Sequence, residues 1–292
     1  MACWATTTGC VTKFAVGKLG DALARSGSTF ASDNDPELIG SAVPFSLKLI
    51  ESLLAEQPRH KGLLLAAASG FTQYSYAFVQ EPADELDSQD LAKAAAMHLR
   101  ARRLYLRARD YGLRGLDARR KGAADALRKD PKAAVRAMDR ADVPLLYWTA
   151  AAWGSAISLA KDDPDLVADQ PIVEALIDRA LALDESFDQG AIHAFLIAYE
   201  SSRVGVKGDP AERARKHFDR ALELSRGELA GPLVSFAENV SVSKQNRKEF
   251  ESLLRRALDI NVDARTEFRL ANLVMQRRAV WLLGRASELF VE

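Results

Sequence analysis

The chain has 292 residues, 48% of them hydrophobic and 27% charged, with 40 basic residues against 40 acidic ones. That length suits one large helical array or two ordinary domains with a real core, and the zero formal charge argues against a general polyanion binder. Two cysteines, Cys3 and Cys10, and four scattered histidines, His60, His98, His193 and His217, build neither a disulfide framework nor a cysteine-based zinc site.

Met1–Cys10 reads MACWATTTGC and has no charged segment and no apolar core, so as written it is not a working signal peptide. Thr8-Gly9-Cys10 nevertheless resembles the end of a lipoprotein signal, with Thr7 standing where leucine is usual. Two readings stay open: a chance cysteine, or a lipid-anchored Cys10 whose upstream hydrophobic stretch was lost to a misplaced start. The expected organisation is a leader and tether over 1–17 and a single domain over 18–292. No unbroken run of 18 apolar residues occurs, so no transmembrane helix is expected.

Beyond the leader, Ala, Leu, Arg, Glu and Lys dominate and alternating apolar patterns are rare, which predicts an all-α fold. Asp35-Pro36, Asp163-Pro164 and Asp209-Pro210 each place a capping acceptor before a proline suited to the first helical turn. Val143-Pro144 is expected to open another helix. Loops are expected at Ser26–Asp35, Glu81–Asp90, Lys161–Pro171, Val204–Pro210 and Ser241–Asn246.

Leu63–Gln80 and Leu145–Ala160 are nearly free of charge, with aromatic residues among Ala, Ser and Gly. Helices that apolar on every side are buried or line a cavity. Core packing is the ordinary reading of their aromatics. The alternative is an apolar passage formed by Phe71, Tyr74, Phe78, Tyr147, Trp148, Trp153 and, from a later apolar helix, Phe195, with Thr72, Gln73, Tyr74 and Thr149 as polar handles.

Between these stretches, His98–Arg140 carries 14 Lys or Arg against five Asp. On a helix, Ala101, Leu104, Tyr105, Ala108 and Tyr111 form an inward seam and leave Arg100, Arg103, Arg107 and Arg114 outside. A solvated face is the ordinary meaning; an acidic partner or an anionic membrane surface is the alternative. Nucleic acid is not expected, because the arginines are not interleaved with exposed aromatics and the rest of the chain cancels their charge.

A related phrase recurs at Leu176–Leu181, His217–Leu222 and Leu253–Leu258, with looser copies at Ile50–Leu54 and Tyr105–Ala108. Aligning Leu53, Ala108, Ala180, Ala221 and Ala257 gives later intervals close to the 34-residue tetratricopeptide (TPR) period. The triplets Ala214/Phe218/Ala221 and Ala101/Tyr105/Ala108 fit that repeat's second helix; its first-helix Trp and Gly are poorly kept. The expected architecture is a degenerate TPR-like array of helical hairpins, with a plain bundle as the alternative.

No His-Glu-x-x-His, Gly-rich phosphate loop or Gly-x-Ser-x-Gly elbow is present. The carboxylates are read as helix caps and exposed faces, and His193 as a satisfied core histidine. No catalytic residue, metal site or cofactor is expected, and the chain is read as not an enzyme.

Several segments resemble the T component associated with TRAP transporters (TatT): Lys18–Ala24, Ser28–Asp33, Asp35–Leu38, Phe71–Gln80, Ala101–Gly112, Leu145–Gly154 and Gln276–Leu283. The resemblance runs from about Cys10 to the C-terminus and departs from the family at the degraded lipoprotein signal. It implies a periplasmic lipoprotein of TPR-like hairpins, a homotrimer, that pairs with the substrate-binding P component of an ion-gradient-driven uptake system. It further implies a passage through each protomer for a hydrophobic small molecule, with or without a carboxylate. The runner-up is a generic TPR adaptor with no role for Cys10.

Overall fold

The computed structural model describes residues 27–203 and 205–291. Cys10 and Lys18–Ala24 lie outside them. The described residues are helical and contain no strand. In chain order the helices are α1 (Gly27–Ala31), α2 (Pro36–Glu56), α3 (Lys61–Ser75), α4 (Glu81–Leu86), α5 (Leu91–Arg119), α6 (Ala123–Lys129), α7 (Pro131–Arg136) and α8 (Val143–Ser158). There follow α9 (Pro164–Val167), α10 (Gln170–Leu183), α11 (Ala191–Tyr199), α12 (Pro210–Leu224), α13 (Ala230–Phe236), α14 (Arg247–Leu258), α15 (Arg269–Gly284) and α16 (Ala286–Leu289).

The expected starts are where the caps placed them. The side chains of Asp35, Asp163 and Asp209 accept the amides of Leu38, Leu166 and Ala211, and Pro occupies the first turn each time. Three of the expected loops are partly helical. Glu81–Leu86 forms α4, which runs on directly from the π-helical turn Tyr76–Gln80 and carries Pro82 just past it. Gly27–Ala31 and Pro164–Val167 are likewise single helical turns.

Consecutive long helices pack on one another: α2 on α3, α3 on α5, α5 on α8, α8 on α10, α11 on α12, and α13 on α14 and α15. Small residues set the closest approaches. At the α5–α8 crossing, a Cβ added to Gly112 would lie 2.2 Å from Thr149 Oγ1, and one added to Gly115 would lie 2.5 Å from Leu145. The repeat positions face inward as expected, with Ala108, Ala180, Ala221 and Ala257 all buried.

The apolar residues form two cores. One runs from Leu47 on α2 to Tyr199 at the end of α11; the other runs from Ile197 to Phe290. The array also meets itself, since α15 packs on α1 and α2.

By length and composition, α2 is apolar enough to cross a membrane (21 residues, mean hydropathy 1.5), although Lys48 and Glu51 break its apolar run. It buries Ile39, Leu47, Ile50, Leu53 and Leu54 and leaves Leu38 and Phe45 exposed at 56% and 74%.

Candidate functional site

The seven aromatic residues fall into four groups. Phe71 is buried and stacks on Tyr111 of α5, with ring centroids 5.9 Å apart. Tyr74 is buried 5.8 Å from the half-buried Phe78, whose ring lies against Gly40 of α2. Tyr147 and Trp148 are half-buried at the start of α8, edge to face at 4.9 Å, and Tyr147 reaches Phe187 at 5.4 Å. Farther along α8, Trp153 has no exposed surface, and its indole N–H donates to Asp169 at 3.2 Å. Phe195 is half-buried, stacks on Tyr199 at 5.1 Å and covers Gly154 beside Trp153.

The basic stretch shields this aromatic interior. Arg100, Arg107 and Arg114 are exposed, as the helical reading requires, and their guanidinium groups lie over the rings of Tyr74, Phe71 and Tyr111 at 5.8, 5.4 and 5.1 Å. Arg119 and Arg120 pair with Asp139 and with the buried Asp142, which these arginines and the Asp139 amide hold below the usual carboxylate range despite its burial. Much of the positive charge is thus spent on rings and internal carboxylates.

A polar seam lies where the two ends of the array meet. Two π-helical turns, Tyr76–Gln80 and Ala237–Ser241, extend α3 and α13. Such turns widen the backbone and often occur at functional sites. Arg278 of α15 is 5% exposed, pairs with Glu238 of the second turn and lies 3.0 Å from Asp84 of α4. The Trp281 ring lies 4.3 Å from its guanidinium carbon. Asp84 also meets His98 Nε2 at 2.8 Å, and His98 Nδ1 is 3.9 Å from Asp87. Asp84, Asp87 and His98 are the one group of three metal-ligating side chains found among the described residues, and Asp87 is exposed.

Glu81 of α4 is 5% exposed. Burial pushes its carboxyl up to about 8, against the opposing pull of Arg278 and a hydrogen bond with Tyr76, while Glu238 and Asp84 add to the rise. Glu81 is therefore largely protonated at neutral pH. Its Oε1 and the Nη1 of Arg278 are buried without a hydrogen-bond partner, a rare condition for native polar atoms.

A second polar cluster joins α11 to α12. His193, read as a satisfied core histidine, is indeed 6% exposed, and its Nδ1 meets His217 Nδ1 at 2.8 Å. Glu200 is buried and receives Arg213 at 2.5 Å and Arg203 at 3.1 Å. Against desolvation, hydrogen bonds from His217 and these arginines bring it down to about 2. A surface hollow of about 470 Å³ opens beside this cluster, lined by Arg140, Asp184, Glu185 and His193.

The reading of carboxylates as caps and exposed faces is corrected here. Glu81 and Glu200 are buried and their side chains cap no helix, whereas Asp142, also buried, does serve a capping box by accepting the Asp139 amide. The sequence signals were thin: an acid ending a charge-free stretch, and an arginine pair inside an apolar helix. Their partners lie on other helices.

The chain matches the TRAP transporter T-component family over residues 32–290. It is also 26% identical over 267 residues to an uncharacterized protein of Treponema pallidum (strain Nichols), an alignment covering 90% of this chain and 83% of that one.

Proposed function

The chain belongs to the TRAP transporter T-component family, and from that premise we propose that it is a non-enzymatic accessory of solute uptake that binds the periplasmic P component and holds a hydrophobic small molecule inside its helical array. The observation that carries this reading is the family match spanning both cores. The aromatic interior supports the ligand. Phe78, Tyr147, Trp148 and Phe195 keep part of their surface open, so they are the side chains placed to meet an apolar molecule, with Phe71, Tyr74 and Trp153 packed behind them.

In this reading the consecutive helix pairs are degenerate TPR-like hairpins. The homotrimer uses the open face of α2, where the exposed Leu38 and Phe45 lie two turns apart on one side. The protein is periplasmic and anchored through lipidated Cys10, outside the described residues.

The test is co-purification of the full chain with the P component encoded beside it, followed by extraction and mass spectrometry of bound lipophilic molecules. A stable complex and a recovered apolar ligand are expected. Absence of both sinks the proposal, and a complex with an unrelated peptide partner instead favours the generic adaptor.

A further inference from the structure

We propose that Arg278 and Glu81 form the polar end of the ligand site and hold an uncharged hydrogen-bonding head group, a hydroxyl or a primary amide, on an apolar tail. This inference rests on the reading that the chain holds an apolar ligand, and it adds where the head of that ligand sits and what its charge is.

The argument begins with two orphaned atoms. Arg278 Nη1 is a donor in need of an acceptor, and Glu81 Oε1 lacks a partner in the same seam; both residues are 5% exposed. An unmade hydrogen bond at such depth costs free energy, so a group that supplies it there gains affinity. A hydroxyl or primary amide accepts from Arg278 and exchanges its second hydrogen bond with the Glu81 carboxyl.

Charge decides between neutral and ionised heads. The guanidinium of Arg278 already pairs with two carboxylates, Asp84 and Glu238. A third anion would enter a site where negative charge exceeds positive, with Glu81 as a further acid beside it, and it would lose its hydration. The other groups facing the seam do not reverse this balance: Arg277 pairs with Glu85 at 3.1 Å, His98 with Asp84 at 2.8 Å, and Tyr105 donates to Gln80 at 2.8 Å. The raised pKa of Glu81 agrees with this reading, because a protonated carboxyl can donate as well as accept. Tyr76, which hydrogen-bonds with Glu81, keeps 37% of its surface exposed beside the seam. Phe78 of the same π-helical turn packs on the buried Tyr74 at 5.8 Å.

The test compares three eight-carbon probes, octanamide, 1-octanol and octanoate, titrated into the full chain at pH 7.5 by calorimetry and by the fluorescence of Trp281. The amide and the alcohol are expected to bind about tenfold tighter than the acid, the difference of one buried hydrogen bond. Glu81→Leu removes this preference, while Glu81→Gln, which keeps a donor and an acceptor, retains it; neither variant touches the ion pairs of Arg278. Octanoate binding as tightly as the amide, or a preference that survives Glu81→Leu, overturns the head-group site and leaves the apolar ligand standing. Binding of none of the three removes the apolar-ligand reading and this site with it.

Discussion

Arg277 on the last long helix donates to Glu85, 192 residues earlier in the chain, across 3.1 Å. Beside it Arg278 turns inward to Asp84 and Glu238. Adjacent residues thus join the two ends of the array in different ways, one in solvent and one buried.

That contrast predicts unequal costs. Arg277→Ala, from a pair with one side chain 59% exposed, is expected to cost no more than about 1 kcal/mol. Arg278→Ala takes the guanidinium from Glu238 and leaves Asp84 with His98 alone, and is expected to cost about 3–5 kcal/mol. Urea unfolding of the two variants measures the difference, and equal midpoints would contradict the seam as drawn.

Replacing the tryptophans of α8 separates packing from ligand contact. Trp153 has no exposed surface, so Trp153→Ala is expected to cost about 3–5 kcal/mol. Trp148, half-buried nearer the start of the helix, is expected to cost less stability and more ligand. Thermal melts paired with quantified bound lipid test this, and a Trp148→Ala protein that keeps its full ligand load counts against the passage.

Glu81 sets a slope in stability with pH. Its carboxyl is raised from 4.5 to about 8 in the folded chain, so between those values the folded state holds the extra proton. The contribution is complete below about pH 4.5 and is lost as pH rises toward 8. Glu81→Gln is expected to remove this loss, flattening the decline of the melting temperature between pH 6 and 8.5. An unchanged profile would place the titration elsewhere.

His193 acts in the opposite sense. Burial and the neighbouring His217 lower its pKa from 6.5, against Glu185, while Arg220 disfavours its proton further. The unfolded chain then binds the proton more readily, so this contribution is complete above about 6.5 and lost as pH falls below it. His193→Gln is expected to lessen the fall in melting temperature between pH 6.5 and 5; a fall as steep as that of the parent protein would refute the assignment.

The open face of α2 predicts a change in assembly. Phe45 is 74% exposed, so Phe45→Asp removes no buried contact of the protomer. Light scattering is expected to show a trimer for the parent chain and a monomer for the variant, with the melting temperature of the protomer kept. A monomeric parent chain, or a variant that remains trimeric, would exclude this face as the interface.

The helical class and the cap positions were legible in the sequence because they depend on neighbours. Asp35, Asp163 and Asp209 bond to amides within three residues, and Ala101, Tyr105 and Ala108 reveal a buried face by their spacing alone. The aromatic stretches could be read for the same reason, and so could the likeness to the T-component family, whereas the seating of Arg100, Arg107 and Arg114 over Tyr74, Phe71 and Tyr111 appears only in the tertiary structure.

The polar seam could not be read that way. Glu81, Asp84, Glu238 and Arg278 come from three separate parts of the chain, and in sequence each resembles an ordinary charge on a solvated helix face. Packing of α15 on α13, and the ion pairs that join α15 to α4, bring those parts together. Burial then raises Glu81 and leaves one atom each of Glu81 and Arg278 without a partner. Local spacing fixes which residues face inward; only long-range packing decides which charges are taken out of water together, because desolvation depends on what every other helix covers.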